Sequence, residues 1–360
     1  MRRGTGYNNT NMLEYCLEGY AALKLITFTV PCYNSAEYMA RCVDSLLSAG
    51  DEAEIILVDD GSSDATGAIA DRYASAHENV RAIHQENGGH GEGVNQGLRN
   101  ATGLYFKVVD SDDWLDVDAL RILMDRLRRF AQLSAPVDLI VCNYVYEHAS
   151  DGTRRVMRYR KALPEGCVIG WEDTRRFSAD EFICMHAAIY RTGVLRDSGL
   201  TLPRHTFYVD NLFVYQPLPW VRTLADLDID LYRYFIGRED QSITEANLIA
   251  RIDQQILVTR LLIDAHDLDA LRKAQPKLAR YMEHNLAMQL MICTIFLWLS
   301  DTPENIEKAD ALWDDLRWRK TGLYRRLRWR SWNICLLPGK AGRKIDLFVY
   351  RQIRRRFKFN

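Results

Sequence analysis

Lys107-Val108-Val109-Asp110-Ser111-Asp112-Asp113-Trp114 ends a strand-like apolar stretch, Leu104 to Val109, broken once by Lys107. Three carboxylates then arrive within four residues, followed by an aromatic. Carboxylates this close repel one another, and a divalent cation with oxygen ligands relieves the repulsion. Magnesium-type sites use one or two protein carboxylates and fill the remaining positions with water and substrate phosphate. A strand ending in Asp-x-Asp therefore suggests a place where a metal grips a diphosphate. The structural alternative is a strand end followed by an acidic helix start, capped by Asp113 or Asp116.

Upstream, strand and helix signals alternate. Leu25 to Val30 is a short β-branched run that stops at Pro31, and Ala36 to Leu47 has helical spacing. Glu54 to Val58 reads as a strand ended by Asp59-Asp60-Gly61-Ser62, and Ala65 to Ala76 as a helix with Asp64 as its cap. Val80 to His84 is a third strand, Gly91 to Asn100 a helix, Val117 to Phe130 another, and Val137 to Cys142 a fifth strand. Strands every 20 to 30 residues with helices between them predict an α/β fold with a doubly wound, mostly parallel sheet. Such sheets bind ligands at the carboxyl ends of their strands. Pro31-Cys32-Tyr33-Asn34, Asp59-Asp60-Gly61-Ser62 and Asp110-Ser111-Asp112-Asp113 lie at those ends.

Downstream, Tyr144 to His148 and Arg154 to Arg160, separated by Asp151-Gly152, predict a hairpin. Phe182 to Tyr190 and Asp228 to Ile236 predict further strands, and Ile243 to Trp318 is helical and amphipathic. The expected organisation is a leader of unclear role (1–23), a catalytic domain (24–242), a helical extension (243–315) and a basic aromatic tail (316–360). Within the catalytic domain, 24–142 reads as the nucleotide-binding half and 143–242 as the acceptor half.

The chain is 48% hydrophobic and 26% charged, ordinary for a soluble globular protein. Eight Cys are scattered without a Cys-x-x-Cys pair, which fits reduced thiols in a cytosolic protein better than disulfides or zinc. Residues 1–23 lack the apolar core of a secretory leader, and Met12 is an alternative start. The most apolar run, Met288 to Leu299, reads as too short to cross a bilayer. The net charge of −1 hides an asymmetry: Leu316 to Asn360 holds 15 Lys/Arg and a single acid, Asp346.

In combination these stretches resemble the family 2 glycosyltransferases, nucleotide-sugar enzymes with the GT-A fold. Thr29-Val30-Pro31-Cys32-Tyr33-Asn34 looks like the family's first strand and loop, and Val58-Asp59-Asp60-Gly61-Ser62-Ser63-Asp64 like its second strand end. Glu86-Asn87-Gly88-Gly89-His90-Gly91 and Asn95-Gln96-Gly97 are similar to the loop and helix before the metal motif, and Asp110-Ser111-Asp112-Asp113-Trp114 resembles that motif. The resemblance covers roughly residues 24 to 242. It implies a nucleotide-sugar donor, held by Pro31, Tyr33, Asn34, Asp59, Asp60, Asn87, Gly88, Gly89, His90, Asp110, Ser111 and Asp113. Asp60 would take the base with the backbone near Pro31 and Tyr33. Asp110 would face the ribose and share Mg2+ or Mn2+ with Asp112, and Asp113 would support the donor sugar or the metal shell.

The family's base lies in a Glu-Asp pair that opens a helix. Here Thr206-Phe207-Tyr208-Val209-Asp210-Asn211 occupies that place, with Val209 where Glu is usual. The resemblance makes Asp210 the general base of an inverting transfer; a helix N-cap is its alternative. Val209, Asn211 and His186 are acceptor-site candidates, with a hydrogen-bonded core histidine the alternative for His186. Arg238, in Arg238-Glu239-Asp240-Gln241-Ser242, looks like part of a loop that closes over the donor diphosphate; a surface salt bridge is its alternative. The Gln-x-x-Arg-Trp signature of processive relatives is absent, which points to transfer of a single sugar.

The expected product is cell-surface polysaccharide or glycolipid, made on a glycan or lipid-linked acceptor. Aromatics interleaved with Lys and Arg in 316–360 suit an anionic membrane surface, so the expected location is the cytoplasm, peripheral on the inner face of the plasma membrane. No nucleic-acid partner is expected, because no reading module accompanies the charge. The rivals are a nucleotidyltransferase that makes nucleotide sugars and a non-catalytic membrane-attached scaffold.

Overall fold

The computed structural model describes residues 24–148, 152–178, 181–237, 245–330 and 339–357. Its strands are β1 (Ile26–Cys32), β2 (Ala53–Asp59), β3 (Val80–His84), β4 (Tyr105–Val108), β5 (Trp114–Leu115), β6 (Leu139–His148), β7 (Arg154–Met157), β8 (Val168–Ile169), β9 (Ala188–Arg191) and β10 (Leu224–Ile236). Between them run α1 (Met39–Leu47), α2 (Thr66–Ala76), α3 (His90–Asn100), α4 (Val117–Ala131), α5 (Thr192–Asp197) and α6 (Asp210–Tyr215).

The strands form one sheet in the order β3-β2-β1-β4-β9-β6-β10-β5, with β7 on β6 and β8 on β10. β3, β2, β1 and β4 are mutually parallel, and so are β6 and β10. Every residue of β1 and β2 is buried, as expected of strands covered on both faces. Each large aliphatic side chain so buried contributes about 1.5–3 kcal/mol. α1 buries Met39, Cys42, Val43 and Leu46, the one-sided spacing of a helix packed on a sheet. Asp116 caps α4 by accepting from the Ala119 amide at 3.0 Å. Asp64 accepts from the Thr66 amide at 2.9 Å at the start of α2.

β9 is inserted antiparallel between β4 and β6. One sequence expectation changes. Of the strand expected over Phe182 to Tyr190, only the end at Ala188–Arg191 forms. The Phe182 carbonyl instead accepts from the Tyr159 hydroxyl and the Ile183 amide donates to the Tyr281 hydroxyl, so side chains take the place of a neighbouring strand. The hairpin does form, with Val145 opposite Val156.

The C-terminal helices are α7 (Glu245–Ala250), α8 (Ile252–Asp264), α9 (Leu268–Ala274), α10 (Pro276–Leu299), α11 (Pro303–Arg319), α12 (Thr321–Arg330) and α13 (Gly339–Phe357). Their apolar faces join the core of the sheet domain. α10 is longer than the apolar run suggests. By length and composition it is able to cross a membrane, but 72% of its most apolar window is buried inside the fold. It is the central helix of the extension, and its buried Glu283 is paired with Arg272 and Arg326.

Candidate active site

The carboxyl ends of β1, β2 and β4 converge on one rim. At β1, Pro31 is buried and the Tyr33 ring is 56% exposed. Asn34 has φ 48° and ties two strand ends together. Its side-chain oxygen accepts from the Ser63 amide at 2.9 Å, while its own amide donates to the Ser62 hydroxyl. Ser111 closes the same rim through the Ser35 hydroxyl at 2.7 Å.

At β2 the two aspartates do different work. Asp59 accepts from the Ser62 amide and is hydrogen-bonded to His84 at 3.0 Å. Burial pushes its carboxyl up, but these bonds outweigh burial and hold it below the usual range. Asp60 is 3% exposed, and its carboxylate accepts from Gln85 and from the Gly88 and Gly89 amides. Asn87 donates to the Asp60 carbonyl. Asp60 thus organises the glycine loop.

Gly89 sits at φ 82°, the left-handed region, and a Cβ there would lie 3.0 Å from the His205 nitrogen. Gly88 has no positive φ; what it provides is space against Glu92. The loop Leu202–His205 packs on this turn, with the His205 amide donating to the Gly88 carbonyl at 2.7 Å. His205 and Tyr208 both have positive φ, uncommon for such side chains, immediately before α6. That strained turn delivers Val209 and Asp210.

Asp110 is the hub. One oxygen is bonded to His90 Nε2 at 2.8 Å, and the other lies 3.4 Å from His186 Nε2. Burial resists charge on all three groups. The mutual bonds win, so Asp110 lies well below the usual carboxylate range and both imidazoles above theirs. The Asp110 amide donates to the Tyr232 hydroxyl, which donates to Asp113 at 2.7 Å. The Phe235 amide donates to the other Asp113 oxygen at 2.8 Å. Asp113 therefore pins β10 to the motif. Burial and then the Asp112 and Asp110 charges push its carboxyl well up.

Ligand atoms of Asp110, Asp113 and His186 lie within 4.8 Å of one another. This group contains Asp110 of the expected metal pair; Asp112 is outside it. The donors fit a divalent cation, because carboxylate oxygens and an imidazole converge at the end of a strand.

Asp210 is the first residue of α6, and the preceding Val209 makes no side-chain cap, so Asp210 is not the N-cap. Asn211 donates to its Oδ1 at 3.3 Å. Burial raises the Asp210 carboxyl; the charges of His186 and His90 partly counter it, and that of Asp110 adds to it. Asp210 thus shares the electrostatic field of the Asp110 hub.

Two of the acceptor-site candidates make other contacts. Val209 is 2% exposed and part of the core beneath Gly91, so it offers no surface to an acceptor. Asn211 turns toward the extension, accepting from Gln289 at 2.6 Å. Arg238 lies outside the described residues.

Two contributors were not anticipated. Lys107 is fully buried in β4, donates to the His186 carbonyl at 2.7 Å and is pushed down to about 8, chiefly by burial. Its break in an apolar strand was the available signal. Tyr232 bridges the Asp110 amide and Asp113. No sequence signal marked it among the tyrosines of β10.

A mostly parallel sheet with acidic and glycine loops at its strand ends, followed by C-terminal helices, defines a GT-A-type α/β protein. Residues 27–196 match the model of glycosyl transferase family 2. EpsH of Bacillus subtilis (strain 168) is 29% identical over 227 residues, covering 59% of this chain and 60% of EpsH. Glycosyltransferase GlyG of Streptococcus pneumoniae serotype 4 is 37% identical over 131 residues, covering 36% of this chain. The chain matches only 42% of GlyG's length. The fold is similar to that of S. aureus TarS 1-349 in complex with UDP-GlcNAc, with a TM-score of 0.55 and 19% identity, covering 91% of this chain and 92% of TarS 1-349.

Proposed function

We propose that the chain moves one sugar from a nucleotide-diphospho-sugar, UDP-linked, to an acceptor hydroxyl with inversion at the anomeric carbon. The acceptor is a glycan or lipid-linked glycan of cell-surface assembly, and the enzyme works in the cytoplasm. The observation that carries this is the placement of Asp210, a carboxylate raised by burial, in the field of Asp110, His90 and His186. The match of residues 27–196 to glycosyl transferase family 2 and the nucleotide sugar bound by TarS support the donor class.

Asp210 takes the proton of the acceptor hydroxyl. The acceptor oxygen forms its bond to the anomeric carbon on the face opposite the diphosphate. The bond from that carbon to the diphosphate oxygen breaks, and its electron pair leaves with the nucleoside diphosphate. The exposed Tyr33 ring receives the base, on a rim that Asp59, Asp60 and Asn87 hold in shape. Asp110, which lies with His186 and Asp113, would hold Mg2+ or Mn2+ together with Asp112, and the cation would supply Lewis-acid stabilisation of the leaving diphosphate. Lys107 and Tyr232 hold His186 and Asp113 in place.

The test is a donor screen that reports nucleotide release across UDP- and GDP-sugars, with wild type and Asp210→Asn. Expected are release from a UDP-sugar and a loss of about 10²–10⁴-fold in kcat in the variant with UDP affinity retained. Undiminished turnover in Asp210→Asn contradicts the assignment.

A further inference from the structure

α13 has two unlike faces. One packs on α10, where the Tyr350 and Phe296 rings meet edge to face at 6.2 Å and Asp346 is 1% exposed. The other leaves Ile345 52% and Phe348 60% exposed, three residues apart and so on one side of the helix. Lys340, Lys344 and Arg351 are also exposed. With Phe348 they fall at spacings of four, four and three residues, which places the three cations in a stripe beside the apolar pair. Asp346 is the only acid between Leu316 and Asn360, and it is turned inward. The outer face therefore presents bulky apolar groups and positive charge with no negative charge among its exposed described residues. Trp318, 82% exposed beside Arg317, repeats the chemistry at the end of α11.

We infer that this face of α13 docks the protein on an anionic lipid surface, with Ile345 and Phe348 entering the headgroup boundary and Lys340, Lys344 and Arg351 meeting lipid phosphates. The charge alone suits any polyanion. The exposed apolar pair selects a lipid, since it gains by leaving water for the acyl boundary and finds no such partner along a phosphate backbone. An interfacial helix of this kind lies in the membrane plane, its apolar side down and its cations at headgroup level. None of the residues of this surface belongs to the catalytic rim, so this inference goes beyond the proposed reaction and does not depend on it.

The experiment is co-sedimentation of the full chain with vesicles of phosphatidylcholine alone and of phosphatidylcholine mixed with phosphatidylglycerol, without sugar donor. Binding is expected to the anionic vesicles only and to weaken as salt rises. Lys344→Glu with Arg351→Glu lowers partitioning about tenfold or more. Ile345→Ser with Phe348→Ser lowers it at unchanged charge. Both variants keep the wild-type melting profile; if the charge-reversed pair melts early, Lys340→Glu, at an exposed helix start, repeats the charge test. No binding of wild type to anionic vesicles, unchanged binding in the variants, or tighter retention of an RNA homopolymer than of vesicles overturns the inference. Because the readout uses no donor, its failure leaves sugar transfer standing.

Discussion

His90 Nε2 lies 2.8 Å from Asp110 Oδ1, joining the first residue of α3 to the carboxylate that follows β4. A hydrogen bond to a charged group contributes about 1.5–3 kcal/mol. His90→Ala removes it and frees Asp110 from the glycine loop. The expected outcome is UDP binding weakened by about tenfold or more, read by titration calorimetry, with the melting temperature lowered by a few degrees. UDP affinity equal to wild type would count against the hub.

Tyr232 serves Asp110 and Asp113 at once. Tyr232→Phe leaves a buried carboxyl oxygen and a backbone amide without their partner, at a cost of about 1–3 kcal/mol. Thermal unfolding should show the loss, and UDP binding should fall with it. A variant as stable as wild type would show that Asp113 does not depend on β10.

Asp210 gives a pH prediction. Its carboxyl is raised, and a base must be ionised to accept a proton. As pH falls through that raised value, Asp210 takes up a proton and the rate drops; above it, the rate is level. The acid limb of kcat should therefore turn above the ordinary aspartate value of about 3.9. A limb at or below that value would remove Asp210 from the role of base.

Asp226 is 2% exposed, and neither carboxyl oxygen has a hydrogen-bond partner among the described residues. Burial, then the charges of Asp228 and Glu165, push it up to about 7. The folded state holds the proton more tightly than the unfolded chain, whose aspartates titrate near about 3.9. Stability from this group is thus full below the unfolded value and falls as pH rises toward about 7. Asp226→Asn should flatten that slope and raise stability at pH above 7 by about 1–3 kcal/mol, read by denaturant unfolding at several pH values. An unchanged slope would mean that Asp226 finds a partner in solution.

The strands β1, β2 and β4 were legible because strands buried on both faces read as mostly apolar runs, and their polar ends mark the rim. The place of β9 was not legible. It is set by Arg191, which bonds Asp138 at 2.8 Å, while Asp138 accepts from the Arg222 and Thr223 amides. These partners lie far apart in sequence and carry no local pattern. The same holds within the site. Asp110 stood out as part of an acidic run, whereas its bonding to His186 depends on β9 folding back beside β4. Val209 looked like a substituted catalytic position, and only packing beneath Gly91 shows that it is core. Asn211 is a neighbour of Asp210, as expected, but its side-chain oxygen accepts from Gln289 of α10, a helix whose link to the site has no sequence signature.

On the proposed reading, the strand-end carboxylates bind a nucleoside diphosphate together with a divalent cation. Titration calorimetry of the full chain with UDP, with Mn2+ and with chelator, tests it most directly. Binding is expected with Mn2+ and is lost with chelator and in Asp112→Ala. UDP binding that is absent, or that is indifferent to the metal and to Asp112→Ala, would contradict it.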